Sequence, residues 1–272
     1  MSKPSRRRCM NRIDARFREL KRRKEKALIV YLTAGFPTVK MLPELVRACA
    51  DAGADLVELG VPFSDPLADG PTIQATSERA LANGVSPAMV LQQAAGLRRR
   101  GITLPLALMT YYNPVLRYGV RRFCGDCRSS GVDGLIVPDL PPEEAGELVR
   151  AARPLGLDTI FLAAPTSTRE RLRRLVKVST GFVYDVSLTG VTGARSSLPA
   201  EVGAHVRRIQ GLTRLPVCVG FGISTPAQVR QMVRVADGVI VGSALLNLIR
   251  RSGRRAPRAV YRFLRGLKRA CR

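Results

Sequence analysis

Histidine is nearly absent from this 272-residue chain. The only one, His205, falls in a helical stretch, so a His-rich metal site is excluded. Lysine is scarce too. Five of the seven lie in the terminal segments, and Lys40 and Lys177 fall in helical ones. None ends a strand, which argues against Schiff-base chemistry. The six cysteines, at 9, 49, 124, 127, 218 and 271, are too scattered for a disulfide framework. A reducing compartment, and so a cytoplasmic location, is expected. Cys124-Gly-Asp-Cys127 has no second pair to complete a zinc site, and its helical setting points to packing. No run of about 18 uncharged apolar residues occurs, so no membrane span is expected. The N-terminus lacks the apolar segment of a secretory signal. No glycine-rich fingerprint follows the first strand, which counts against an open dinucleotide-binding sheet.

Acidic residues are outnumbered, 21 against 45 Lys and Arg, for a net charge of +24. The excess sits at the ends. Residues 1–26 hold 12 Lys and Arg against 3 acids, residues 250–272 hold 10 against none, and +5 remains for the middle. Such ends predict non-specific polyanion binding that weakens with salt; an arginine-rich codon bias would explain them without function.

What the chain does have is a repeating alternation. Apolar runs at 27–33, 55–60, 104–110, 134–139, 158–164, 182–187, 216–221 and 238–243 read as strands of a parallel sheet covered on both faces. Amphipathic segments at 39–52, 72–82, 86–99, 118–130, 142–153, 168–178, 200–210 and 225–234 separate them. Cap signals stand at Ser86, Ser167 and Thr225. "DAGADLVELG", "SSGVDGLIVPD" and "VRVADGVIVGS" echo one another as helix end, turn and strand. Eight strands alternating with helices predict an α/β (β/α)8 barrel. It occupies residues 12–272 as a single domain behind a basic extension, 1–11. The last helix, with Val260, Phe263, Leu264 and Leu267 on one face, should cover the barrel and turn a basic face to solvent.

In such a barrel the chemistry belongs at the C-terminal strand ends. Glu58 ends the second strand, and Asp65 and Asp69 follow in "GVPFSDPLADGP", stiffened by Pro62, Pro66 and Pro71. Tyr111, Asn113, Asp139, Tyr184, Asp185 and Ser187 stand at or after other strand ends. With histidine, lysine and cysteine set aside, carboxylate acid–base chemistry remains. Glu58 against an apolar wall would have a raised pKa, able to give and take a proton near neutrality. The rival readings are a barrel-mouth salt bridge for Glu58 and loop capping for Asp65 and Asp69. After strands seven and eight, Gly222, Gly242 and Ser243, with a helix opening at "SALLNLI", form a candidate phosphate cradle that Gly193 would close. Tight turns alone are the alternative.

"YLTAGFP", "ADLVELGVPFSDPLADGPTIQ", "YYNPV", "GVDGLIVPDLPPEE", "GVTGAR", "GFGIS" and "IVGSA" together resemble the tryptophan synthase alpha chain family, in its order and spacing, over roughly residues 12–250. The resemblance implies a lyase that cleaves indole-3-glycerol phosphate to indole and glyceraldehyde 3-phosphate. Glu58 and Asp69 would be the catalytic pair. Tyr184, Thr192, Gly193, Phe221, Gly222, Gly242 and Ser243 match substrate or phosphate positions. Tyr31 and Tyr111 match the indole pocket, and Asp65 a position communicating with a beta chain. An alpha2-beta2 complex is implied, with pyridoxal phosphate in the beta chain and neither cofactor nor metal here. Leu188 departs from relatives with arginine there, which bears on loop closure. A free-standing indole-glycerol phosphate lyase and an RNA- or membrane-associated barrel are the alternatives.

Overall fold

The computed structural model describes residues 11–186, 200–220 and 222–272. Within them the strands are β1 Ala27–Thr33, β2 Leu56–Gly60, β3 Leu106–Met109, β4 Gly134–Ile136, β5 Asp158–Ile160, β6 Leu162–Ala163, β7 Val183–Val186, β8 Val217–Gly220 and β9 Gly238–Val241. All pair in parallel, in the order β5-β4-β3-β2-β1-β9-β8-β7-β6. The two edge strands are consecutive pieces of one run, so the sheet closes into the expected barrel. That run, expected unbroken over 158–164, changes partner at Phe161. Thr159 pairs with Leu135 of β4, whereas Leu162 pairs with Tyr184 of β7.

The helices are α1 Arg12–Arg23, α2 Leu42–Ala52, α3 Pro71–Ala82, α4 Pro87–Arg99, α5 Tyr112–Tyr118, α6 Val120–Ser129, α7 Gly146–Ala152, α8 Arg169–Val178, α9 Ala200–Gln210, α10 Pro226–Met232, α11 Ser243–Ser252 and α12 Ala256–Arg269. Ser86 caps α4, and Thr225 with Gln228 forms a capping box on α10. The α8 cap is Thr168, one residue past the expected Ser167, whose hydroxyl instead accepts from the Ala164 N–H. Helix α5, short and directly after β3, falls outside the amphipathic segments expected from the sequence. Its start is held by Asp139, whose carboxylate accepts the Tyr112 N–H at 2.9 and 3.1 Å.

The two-residue period of a strand sorts β1 cleanly. Ala27 and Ile29 join the barrel interior with Leu56, Ala107, Ile136, Ile160, Phe182, Cys218 and Ile240. Leu28, Val30 and Leu32 face the helical shell. Helix α1 closes the interior from the N-terminal strand ends. Its Ile13 and Leu20 are buried, and the Phe17 ring packs on Phe182 with centroids 5.7 Å apart. Asn11 is buried as well; its side chain accepts the Asp14 N–H and donates to the Asp133 carbonyl.

The repeated sequence echo has a structural cause. Its aspartates, Asp55, Asp133 and Asp237, each accept a backbone N–H from the start of a neighbouring strand: Leu28 at 2.6 Å, Leu106 at 3.0 Å and Val217 at 3.0 Å. Each also meets a cation: Lys268 on Asp55, Arg98 on Asp133 and Lys26 on Asp237. This corrects the fully solvated basic face expected of α12. Lys268 is buried, its ammonium 2.7 Å from Asp55. A buried carboxylate needs a cation, and the last helix supplies one. Cys124 and Cys127 are buried in α6, where burial pushes both thiols up.

Candidate active site

The opposite pole, at the C-terminal strand ends, gathers the predicted carboxylates. Glu58 lies in β2 beside Tyr31 of β1. It continues the inward series begun by Leu56. Its side chain is fully buried, and neither carboxyl oxygen has a hydrogen-bond partner among the described residues. The expected rival, a salt bridge at the barrel mouth, is not formed there. Desolvation pushes the carboxyl up to about 8, because burial without a partner penalises the charged form.

Asp69 stands on the stiff loop between β2 and α3. The loop is pinned from several sides. Asp69 N–H donates to the Pro66 carbonyl at 3.0 Å, and Gln74 Nε2 donates to the Asp69 carbonyl at 2.9 Å. The Ala68 N–H donates to the Tyr111 hydroxyl at 3.0 Å. Pro71 opens α3 at its first position, where the missing N–H costs nothing. Burial pushes the Asp69 carboxyl up to about 6, and a hydrogen bond with Tyr111 partly offsets this. The phenols of Tyr31, Tyr111 and Tyr184 are all raised, first by burial. Asp69 acts on each, and Glu58 on Tyr31 and Tyr184. Both carboxyls and three tyrosines therefore share one mouth.

Two glycines that sequence reasoning passed over make this mouth. A Cβ at Gly60 would lie 1.9 Å from the Tyr31 hydroxyl, and one at Gly220 would lie 2.7 Å from that of Tyr184. Each ends its strand, so each leaves the neighbouring strand's tyrosine room to lie flat across the opening. The available signal was a glycine closing an otherwise apolar run, in "LVELG" and "PVCVG".

Strands β8 and β9 bring the predicted anion cradle together. Gly220 pairs with Ile240, and two residues beyond them stand Gly222 and Gly242. Gly222 is exposed at φ +37°, in the left-handed region, with open space around a would-be side chain. Gly242 is the N-cap of α11, and Ser243, its first residue, is exposed. Unpaired N–H groups and the helix dipole meet there.

The other predicted residues divide. Asp65 is exposed and apart from the carboxylate pair. It borders a cleft of 590 Å³ with Pro62, Phe63, Leu81, Asn113 and Pro114. Asp139 serves as the α5 cap. Asp185 is buried against His205, Oδ1 to Nδ1 2.9 Å. Leu188, Thr192, Gly193 and Phe221, with Ser187, lie outside the described residues. Among the described residues no cluster of metal-ligating side chains occurs, and no helix is long and apolar enough to cross a membrane.

Residues 17–270 match the family model described as tryptophan synthase alpha chain. The chain is 48% identical over 262 residues to the tryptophan synthase alpha chain of Geobacter sulfurreducens, covering 96% of this chain and 99% of that one. With the alpha chain of Geotalea daltonii it shares 52% identity over 237 residues, covering 87% and 89%. Its fold matches the crystal structure of tryptophan synthase subunit alpha from Legionella pneumophila with a TM-score of 0.90 at 37% identity, over 97% of this chain and 99% of that one. A tryptophan synthase structure from Mycobacterium tuberculosis gives 0.89 at 39% identity, over 97% and 99%.

Proposed function

Because the chain belongs to the tryptophan synthase alpha chain family, we propose that Glu58 and Asp69 are the acid–base pair of its reaction. The protein is a lyase that cleaves indole-3-glycerol phosphate to indole and glyceraldehyde 3-phosphate. The proposal rests most on Glu58: a fully buried carboxyl in the barrel mouth, unpartnered among the described residues. A side chain kept so has no structural duty there, and its cost is explained if it awaits a substrate.

The two acidities divide the work. Near neutrality Glu58, at about 8, holds its proton, whereas Asp69, at about 6, is ionised. Glu58 gives its proton to indole C3. Asp69 accepts from the indole N–H and stabilises the positive ring so formed. The bond from C3 to the glycerol carbon then breaks, its electron pair returning to the ring. The glycerol hydroxyl yields its proton to the Glu58 carboxylate and becomes the aldehyde. Glu58 ends protonated, as it began. The pinned loop holds Asp69 in place, which makes proton transfer productive.

Gly222, Gly242 and Ser243 take the phosphate, and the family resemblance assigns Thr192 and Gly193 to the same role. Tyr31 and Tyr111 line the indole pocket and Tyr184 contacts substrate; the family resemblance adds Phe221 near the indole ring. Gly242→Asp should raise KM at least about tenfold, since it puts a negative charge where N–H groups meet phosphate. An unmoved KM would relocate the cradle.

A beta chain is the partner the family implies, in an alpha2-beta2 assembly whose pyridoxal phosphate belongs to the beta chain. Its docking face is proposed beside Asp65, where Leu67 is 93% exposed and Leu81 and Leu116 are exposed as well. The catalytic domain is taken as residues 12–272. Incubating the purified chain with indole-3-glycerol phosphate, with and without a beta chain, tests the whole reading. Indole should appear in both and faster with the partner, and Asp65→Ala should lose much of that stimulation. Absence of indole in both would refute the activity; equal rates would favour a free-standing lyase.

A further inference from the structure

We infer that the pole opposite the proposed active site binds single-stranded nucleic acid through its phosphates, across the ridge made by α1. The residues that follow α1 and those that end α12 meet there. The Lys26 N–H donates to the Cys271 carbonyl at 2.9 Å, and Arg272 approaches Glu25 at 3.7 Å. Segments some 250 residues apart in sequence thus build one surface.

The acids of this pole are largely spent on internal partners. Glu19 is taken by Arg16 and Arg23, Glu25 by Arg23 and Lys268, and Asp55, Asp133 and Asp237 by the cations already described. Asp14 and Asp51 are the acids left over nearby. Against them, Arg18, Lys21, Arg22 and Lys24 are exposed on and just after α1 and make no hydrogen bond or ion pair through their side chains among the described residues.

The relief of the surface narrows the partner. Helix α1 stands between two crevices. One, of 550 Å³, is bordered by Arg12, Arg16, Arg22 and Arg47. The other, of 440 Å³, is bordered by Lys21, Lys24, Lys26 and Arg214. A flexible chain of phosphates can cross the ridge and enter both, whereas a rigid duplex cannot bend into them. A bilayer is disfavoured because the large exposed hydrophobic residues among those described, Leu67, Leu81 and Leu116, all belong to the other pole. Phe17, the aromatic ring of α1, borders the second crevice but is half-buried and packs at a tilt against Phe182, which leaves no open ring face for a base to stack on. Recognition is therefore by charge, indifferent to base sequence and steeply salt-dependent.

The test titrates the full chain into labelled single-stranded RNA homopolymers of about 20 nucleotides, from about 50 to 300 mM salt. The comparison is with a pole variant (Arg18→Gln, Lys21→Gln, Arg22→Gln, Lys24→Gln) and a charge-matched control from the first turns of α6, α8 and α12 (Arg121→Gln, Arg169→Gln, Arg171→Gln, Arg258→Gln). The wild type and control should bind alike and without base preference. The pole variant should lose on the order of 10²-fold in affinity, with the salt slope shallower by about 3, or ~0.7 per phosphate contact. Singly, Lys21→Gln and Arg22→Gln should each lower the slope by about 0.7. Indole release and melting temperature should not change, because these side chains touch neither core nor mouth. The inference is overturned if wild type fails to bind at low salt, or if both variants lose affinity equally. Binding confined to phosphatidylserine vesicles would overturn it as well.

Discussion

Replacing Glu58 with glutamine lowers kcat/KM for indole release by about 10²–10⁴-fold and leaves the melting temperature near that of the parent. The fold tolerates the change for a physical reason. At neutral pH the buried carboxyl, at about 8, is already uncharged, and neither oxygen holds a partner that an amide would lose. Glutamine keeps the volume and removes only the transferable proton. The pH profile separates this role from a structural one. In the parent enzyme kcat/KM should rise through about pH 6, as Asp69 ionises, and fall through about pH 8, as Glu58 loses the proton it must donate. Residual activity of the variant should keep the acid limb and lack the alkaline one. Near-parental turnover, or an unchanged alkaline limb, would make Glu58 a structural residue.

Removing residues 257–272 leaves no cooperatively folded barrel. Val260, Leu264 and Leu267 of α12 are fully buried, and Phe263 packs partly against the same core. Each buried side chain of this kind is worth about 1.5–3 kcal/mol, against a typical folding margin of about 5–15 kcal/mol. The deletion also strips Lys268 from Asp55, leaving that buried carboxylate with only the partly exposed Arg16 as a cation. It opens the seam between α12 and β1 where Lys26 bonds Cys271. Thermal melting followed by circular dichroism reads the outcome: no cooperative transition, or one lowered by tens of degrees. A truncated chain that melts within a few degrees of the parent would show α12 to be dispensable, and the basic C-terminus an appendage.

The barrel and most of its elements were legible in the sequence, because buried parallel strands are continuous apolar runs and their helices carry a 3.6-residue apolar period. Both signals are local. Glu58 and Asp69 were legible for a related reason. A carboxylate at the end of an apolar strand, followed by a loop stiffened by three prolines, is a local conflict that core packing does not produce. What needed the tertiary structure was whatever depends on distant partners. The break at Phe161 exists because the chain must leave β4 for β7 to close the sheet, and no residue near 161 announces it. Helix α5 is held by Asp139, twenty-seven residues from the N–H it caps. The repeated aspartates looked like one more turn signal until their acceptor role towards neighbouring strands appeared. Gly60 and Gly220 carry meaning only through the tyrosines that lie over them from adjacent strands. Lys268 reads as a solvated cation in a basic tail; burial beside Asp55 is decided by which helix lands against which strand. Charge composition likewise told how much positive charge there is. Only the closure of the barrel, which brings Lys26 at the start of β1 against Cys271 at the end of the chain, decided which part of it gathers on the pole away from the chemistry.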